Sequence, residues 1–123
     1  EGITLVGFED RTALQMGRPP RDELEVLRHV DPDDLVIVLK HRPFVRPDAM
    51  PFTDLQLSGH THRGQIFPFT LAVVWHYPYP HGLTRPSEGT YLYTSRGTGT
   101  WGPPMRLLSP PEVTVVDLVA AEE

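Results

Sequence analysis

Leu35-Val-Ile-Val-Leu39 is five apolar residues in a row, and a strand of that kind has no polar face to offer water. It must be covered on both sides, so the chain has to fold in layers, with other segments above and below this one. The run passes directly into Lys40-His41-Arg42-Pro43, and a second short run, Leu55-Gln-Leu-Ser58, passes into Gly59-His60-Thr61-His62. In open α/β sheets the loops beyond the carboxyl ends of strands aim side chains at a shared point. His41 and His60 both occupy that position.

The remaining segments supply the rest of a sheet. Ile3 to Phe8 is an apolar, β-branched run that reads as a strand. Arg18-Pro-Pro-Arg21 interrupts the chain, and Asp22 is placed to cap a helix through about Val30, with Leu24, Leu27 and Val30 on one face. Asp31-Pro-Asp-Asp34 reads as a turn of solvated charges. Leu71 to His76, Thr90 to Thr94 and Val113 to Leu118 complete about six strands, with Asp117 on the polar face of the last. Ala120 to Glu123 is expected to fray, its terminal glutamates solvated. The 123 residues suit one domain and not two, and 14 prolines with 10 glycines imply many loops and short strands. The expected fold class is a β-rich α/β domain.

Charge and composition narrow the function. A net charge of -5 disfavours binding to a nucleic-acid backbone. No apolar run approaches the roughly 20 residues of a membrane helix, and no signal peptide is apparent. The chain opens on Glu1 rather than Met, so it is expected to be a processed or excised piece. With no cysteine there is neither a disulfide nor a thiolate zinc site.

The histidines carry the chemistry. In extended backbone, residues two apart point the same way, so His60 and His62 would share one site, with Cα atoms about 6–7 Å apart and Thr61 facing away. That spacing suits ligands of two metals about 3.5–4 Å apart. Gly59 and Gly64 bracket the pair and permit tight turns. Taken alone, the pair also fits surface polar residues, and His41 fits a hydrogen-bonded structural residue.

The wider string, Asp54-Leu-Gln-Leu-Ser-Gly-His-Thr-His-Arg-Gly-Gln-Ile66, resembles the Gly-His-x-His signature of calcineurin-like metallophosphoesterases, in particular a bacterial branch. Val38 to Pro43 resembles that branch's strand-then-histidine motif. Leu92-Tyr-Thr-Ser-Arg-Gly-Thr-Gly-Thr-Trp-Gly-Pro-Pro-Met-Arg106, then Pro110 to Val113, resembles its C-terminal signature. The resemblance covers nearly the whole chain. It implies that residues 1–123 are the C-terminal half of a four-layer α-β-β-α sandwich.

It further implies a metal-dependent hydrolase of phosphomonoesters, phosphodiesters or pyrophosphates, with two divalent ions (Mn, Fe, Zn or Mg) in the parent protein. His41 and His60 would bind one ion and His62 the other. Arg63 departs from the glycine common at its position and could narrow the site or reach a substrate phosphate. The family's Asp-x-His, its bridging Asp and its Gly-Asn-His motif lie upstream and do not occur here; Asp10 is no substitute. No catalytic residue is therefore assigned within the chain, and alone it is expected to be inactive, holding no ion or one weakly. Its partners would be the N-terminal half of the same protein and a phosphorylated small-molecule or lipid-linked substrate, with self-association when that half is missing. The branch is often tethered to a membrane facing outward, although a cytoplasmic parent is also compatible. The competing reading is a non-catalytic module that keeps the fold and binds a metal or a partner.

Ser95-Arg-Gly-Thr-Gly-Thr-Trp-Gly102 follows a strand, and such loops can turn successive N–H groups toward an anion, with Arg96 adding a positive fork to a substrate phosphate. A tight structural connection fits the same residues. Without Lys-Ser/Thr it is no nucleotide P-loop. Trp101 is expected to pack under this loop. Tyr77 to His81 reads as an extended rim, with His76 and His81 as surface groups.

Overall fold

The computed structural model describes residues 2–120 and shows a mixed sheet of five strands: β1 (Ile3–Gly7), β2 (Leu35–Leu39), β3 (Leu55–Ser58), β4 (Gly82–Ser87) and β5 (Thr90–Thr94). Their order across the sheet is β1-β2-β3-β5-β4. β1, β2, β3 and β5 run parallel, and β4 pairs antiparallel with β5 as an edge hairpin. Two short helices accompany them, α1 (Glu23–Leu27) and α2 (Phe69–His76). The α/β class read from the sequence holds.

Asp22 caps α1 as its position implies, its carboxylate accepting from the amides of Leu24 at 2.8 Å and Glu25 at 3.2 Å. Leu27 is driven into the core beneath the sheet, where it meets Val6, Val36, Val38 and Ala49, with Phe8, Val26 and Val30 packed around them. Val36, Ile37 and Val38 are all buried, so the middle of the apolar run is covered on both sides. The opposite face of the sheet is open toward its β1 edge, with Ile3, Leu5 and Leu39 exposed to solvent.

Three expectations are corrected. Leu71 to His76 is helical, not a strand: a short apolar run does not distinguish the two periods, and here it forms α2. Val113 to Leu118 pairs with no strand among the described residues, and Val113, Val115 and Val119 stand in solvent. Asp117 accordingly lies on no strand face. β4 was hidden by Gly82 and Pro86, yet an edge strand tolerates a proline, and the ladder shifts register between Thr84 and Ser87 to admit it. Of the expected frayed tail, residues 121–123, with both terminal glutamates, lie outside the described residues.

Candidate metal centre

Because β2, β3 and β5 are parallel neighbours, their carboxyl ends lie side by side. The ladder continues past the strands: Lys40 donates to the Leu57 carbonyl at 3.1 Å, Gly59 to that of His41 at 3.0 Å, and Ser95 to that of Ser58 at 2.8 Å. Three loops are thereby laced together. They bring His41 Nε2 to 2.9 Å from His60 Nδ1, the rings edge to face at 4.8 Å.

The turn that follows is not extended. His60 and His62 have φ of 67° and 46°, with Thr61 between them in right-handed helical backbone at φ -69°. Strand alternation therefore does not apply, and Thr61, expected to face away, is buried and lines the site with its neighbours. A short 3-10 turn over His62–Gly64 brings His62 round instead. His41, His60, Thr61, His62, Val73, Tyr77 and Trp101 together line one cavity of about 360 Å³.

Burial lowers the pKa of His60, and the charges of Arg42 and His41 lower it further. His62 is lowered by burial and then by Arg106, whose Nη2 lies 2.8 Å from its Nδ1. Both rings are thus biased to the neutral form that binds a cation. The donor set is incomplete, however. Among the described residues no three His, Cys, Asp or Glu side chains gather closely enough to hold a metal ion. The facing nitrogens of His41 and His60 fit part of one coordination sphere, and divalent ions favour carboxylate oxygens that this cavity lacks.

A larger cavity of about 540 Å³ is also lined by His41, and most of its charged walls are paired with one another. Lys40 meets Glu23 at 2.7 Å and Arg42 meets Asp10 at 2.9 Å. Burial raises the Asp10 pKa, yet hydrogen bonds from Thr12 and Arg42 outweigh it and hold the carboxyl well below the usual range.

The glycine-rich loop turns its carbonyls inward. Arg106 Nη2 donates to the carbonyls of Arg96 at 2.9 Å and Gly97 at 3.1 Å, and also to that of Gly99. Gly97 N–H is taken by Ser95 Oγ at 3.0 Å. An arginine side chain occupies the place where an anion was considered. Arg96 itself donates from Nε to Glu112 at 2.6 Å. Arg63 lies outside the residues that line the histidine cavity, and its Nε is buried without a hydrogen-bond partner among the described residues. The charges of Arg63 and Arg96 add to burial in lowering His81.

Trp101 does not pack under the loop; it is 55% exposed and stands at the cavity wall. Its backbone is held by Gln65, which is fully buried, through Trp101 N–H to Oε1 at 2.7 Å and Nε2 to the Trp101 carbonyl at 2.8 Å. Ser109 Oγ donates to the His62 carbonyl at 2.5 Å. Gln65, Arg106 and Ser109 were not singled out from the sequence, because nothing in local spacing shows that residues 96–109 fold back onto the histidine turn.

No protein-family model matches the chain, and no solved structure matches it. Curated proteins do. An uncharacterized metallophosphoesterase of Aquifex aeolicus is 41% identical over 118 residues, 94% of this chain and 45% of that protein. One of Helicobacter pylori is 40% identical over 120 residues, 96% of this chain and 32% of its own length. A zebrafish (Danio rerio) transmembrane protein with metallophosphoesterase domain is 37% identical over 124 residues, 97% of this chain and 28% of that protein. The chain spans less than half the length of each. Among the described residues no helix is long and apolar enough to cross a membrane.

Proposed function

Since the chain belongs to the metallophosphoesterase family, we propose that it supplies the histidine side of the metal centre in a longer phosphoester hydrolase. The observation that carries this reading is the pair His41 Nε2 and His60 Nδ1, facing each other at 2.9 Å in a cavity that His62 also lines. His41 and His60 would hold one divalent ion, and the Nε2 edge of His62 is the ring position left for a second. The remaining ligands, carboxylates above all, would come from the N-terminal part of the same protein. A metal so held lowers the pKa of water and polarises a phosphoryl oxygen.

The chain's own residues prepare the site. Burial keeps His60 and His62 neutral, and Arg106 fixes the His62 ring through Nδ1. Thr61 anchors the turn by donating to the Pro80 carbonyl at 2.8 Å. Arg63 and Arg96 are the candidates for a substrate phosphate, and either would have to turn toward the cavity, since Arg63 lies outside its lining and Arg96 is bound to Glu112. The isolated 123 residues would be inactive and hold at most one ion weakly.

The test uses the full-length protein that contains this chain, stripped of metal and reloaded with manganese or zinc. Hydrolysis of p-nitrophenyl phosphate or its diester is expected, with His41→Ala and His60→Ala each lowering bound metal and reducing the rate about 100-fold or more. Full metal content and full rate in both variants would overturn the assignment.

A further inference from the structure

We propose that the histidine cavity is built for a phosphoester with an apolar body, and that Trp101 is the residue that selects it. The inference rests on the phosphoester reading of this cavity and names the class of substrate it takes.

The walls divide by chemistry. The histidines form the wall where the phosphoryl group would sit beside the proposed metal, while Val73, Tyr77 and Trp101 offer only hydrocarbon and aromatic surface apart from the ring hydroxyl and indole N–H. Tyr77 is fixed between two rings, tilted on Phe44 at 5.2 Å and edge to face on His60 at 5.9 Å. The Thr61 hydroxyl is already committed to the Pro80 carbonyl at 2.8 Å. A polar substrate body would leave water there and find few partners, which costs free energy; an apolar body leaves water at a gain.

Trp101 combines a fixed backbone with an open side chain. Gln65 grips its backbone from both sides at 2.7 Å and 2.8 Å, yet the indole remains 55% exposed. A rigid backbone under an exposed indole is the arrangement of a preorganised contact surface, since a tryptophan can bury 150–250 Å² against a ligand with little ordering cost. Gln65 lies three residues after His62, so the segment that ends the histidine turn also sets the indole beside it.

The experiment is calorimetric binding of methyl-, benzyl- and octylphosphonate to the full-length, metal-loaded protein. These ligands share a head group that is not hydrolysed and differ only in the body. Benzyl- or octylphosphonate is expected to bind about ten-fold tighter than methylphosphonate or better. Trp101→Ala should remove that advantage and leave methylphosphonate within about twofold, whereas Trp101→Phe should keep most of it. The truncation leaves the Gln65 clamp intact, because the clamp uses only backbone atoms. Preference for benzyl alone assigns ring stacking and preference for octyl alone assigns chain burial; either supports the proposal. Equal binding of all three ligands, or an equal loss for methylphosphonate in Trp101→Ala, overturns it. Hydrolysis assays judge the phosphoester reading separately, so the two can fail independently.

Discussion

Arg106 reaches back across 44 positions to His62, placing Nη2 2.8 Å from Nδ1. Nη2 carries two hydrogens and has four acceptors within reach, three of them carbonyls, so it orients the ring without fixing which nitrogen holds the proton. The same nitrogen gathers the carbonyls of Arg96 and Gly97, and Nη1 donates to that of Ser109 at 3.2 Å. One side chain thus fixes both a loop and the ring of a candidate ligand.

Arg106→Gln should therefore be felt twice. Loss of these partly buried bonds is expected to cost about 1–3 kcal/mol in urea unfolding. In the metal-free protein the ring nitrogens of His62, followed by nitrogen-15 resonance, should shift as Nδ1 loses its contact with Arg106. Unchanged ring signals would mean that Arg106 braces the loop alone.

Gly64 cannot be replaced. Its φ is +78°, and a Cβ there would collide with the backbone of Thr70 at the start of α2. Gly64→Ala should destabilise by about 2–4 kcal/mol, combining overpacking with left-handed strain. Gly99→Ala, where nothing lies within 4 Å, should change the unfolding midpoint little. Similar losses at both positions would show that the close approach to Thr70 is not what decides.

Glu112 gives the acid limb of stability. Burial raises its pKa, but Tyr93, Thr114 and Arg96 bond to the carboxylate and bring it down to about 2 from 4.5. A depressed carboxylate contributes stability that is complete above its unfolded value and is lost as pH falls through the folded one. The window is therefore between about 4.5 and about 2. Wild-type protein should lose on the order of 2 kcal/mol across it more than Glu112→Gln does. Parallel pH profiles for the two proteins would remove Glu112 from the account.

Expressed alone, the 123-residue chain should self-associate. Ile3, Leu5 and Leu39 expose the uncovered sheet face, and β1 is a free edge. In the longer protein the N-terminal part is expected to cover them. Sedimentation should show oligomers at micromolar concentration that Leu5→Lys reduces. A single monomeric species with cooperative unfolding would show that the piece is self-sufficient.

The parts legible in the sequence are those whose signal is local. Leu35–Leu39, Leu55–Ser58 and Thr90–Thr94 announce strands by apolar and β-branched content, and Asp22 announces a cap by position alone. His41 and His60 were legible as neighbours because each ends a strand of one parallel sheet. What stayed hidden depends on partners. Val113 to Leu118 is rich in β-branched residues like a strand but pairs with no strand among the described residues. Phe69 to His76 is apolar all round, so no period betrays its helix. Trp101 was misplaced because its setting is decided by Gln65, thirty-six residues away.

The strand order β1-β2-β3-β5-β4 also sets a timetable for assembly. The β4–β5 hairpin closes over two residues between Ser87 and Thr90, so it forms at small entropic cost and early. The contact of His41 with His60 spans 19 positions, and that of His62 with Arg106 spans 44. Chain entropy favours the shorter closure first. The first two histidines are then expected to meet before the segment carrying Trp101 and Arg106 is in place, with the cavity sealed last. On unfolding the order is expected to reverse, with the segment from Ser95 to Ser109 the first to let go.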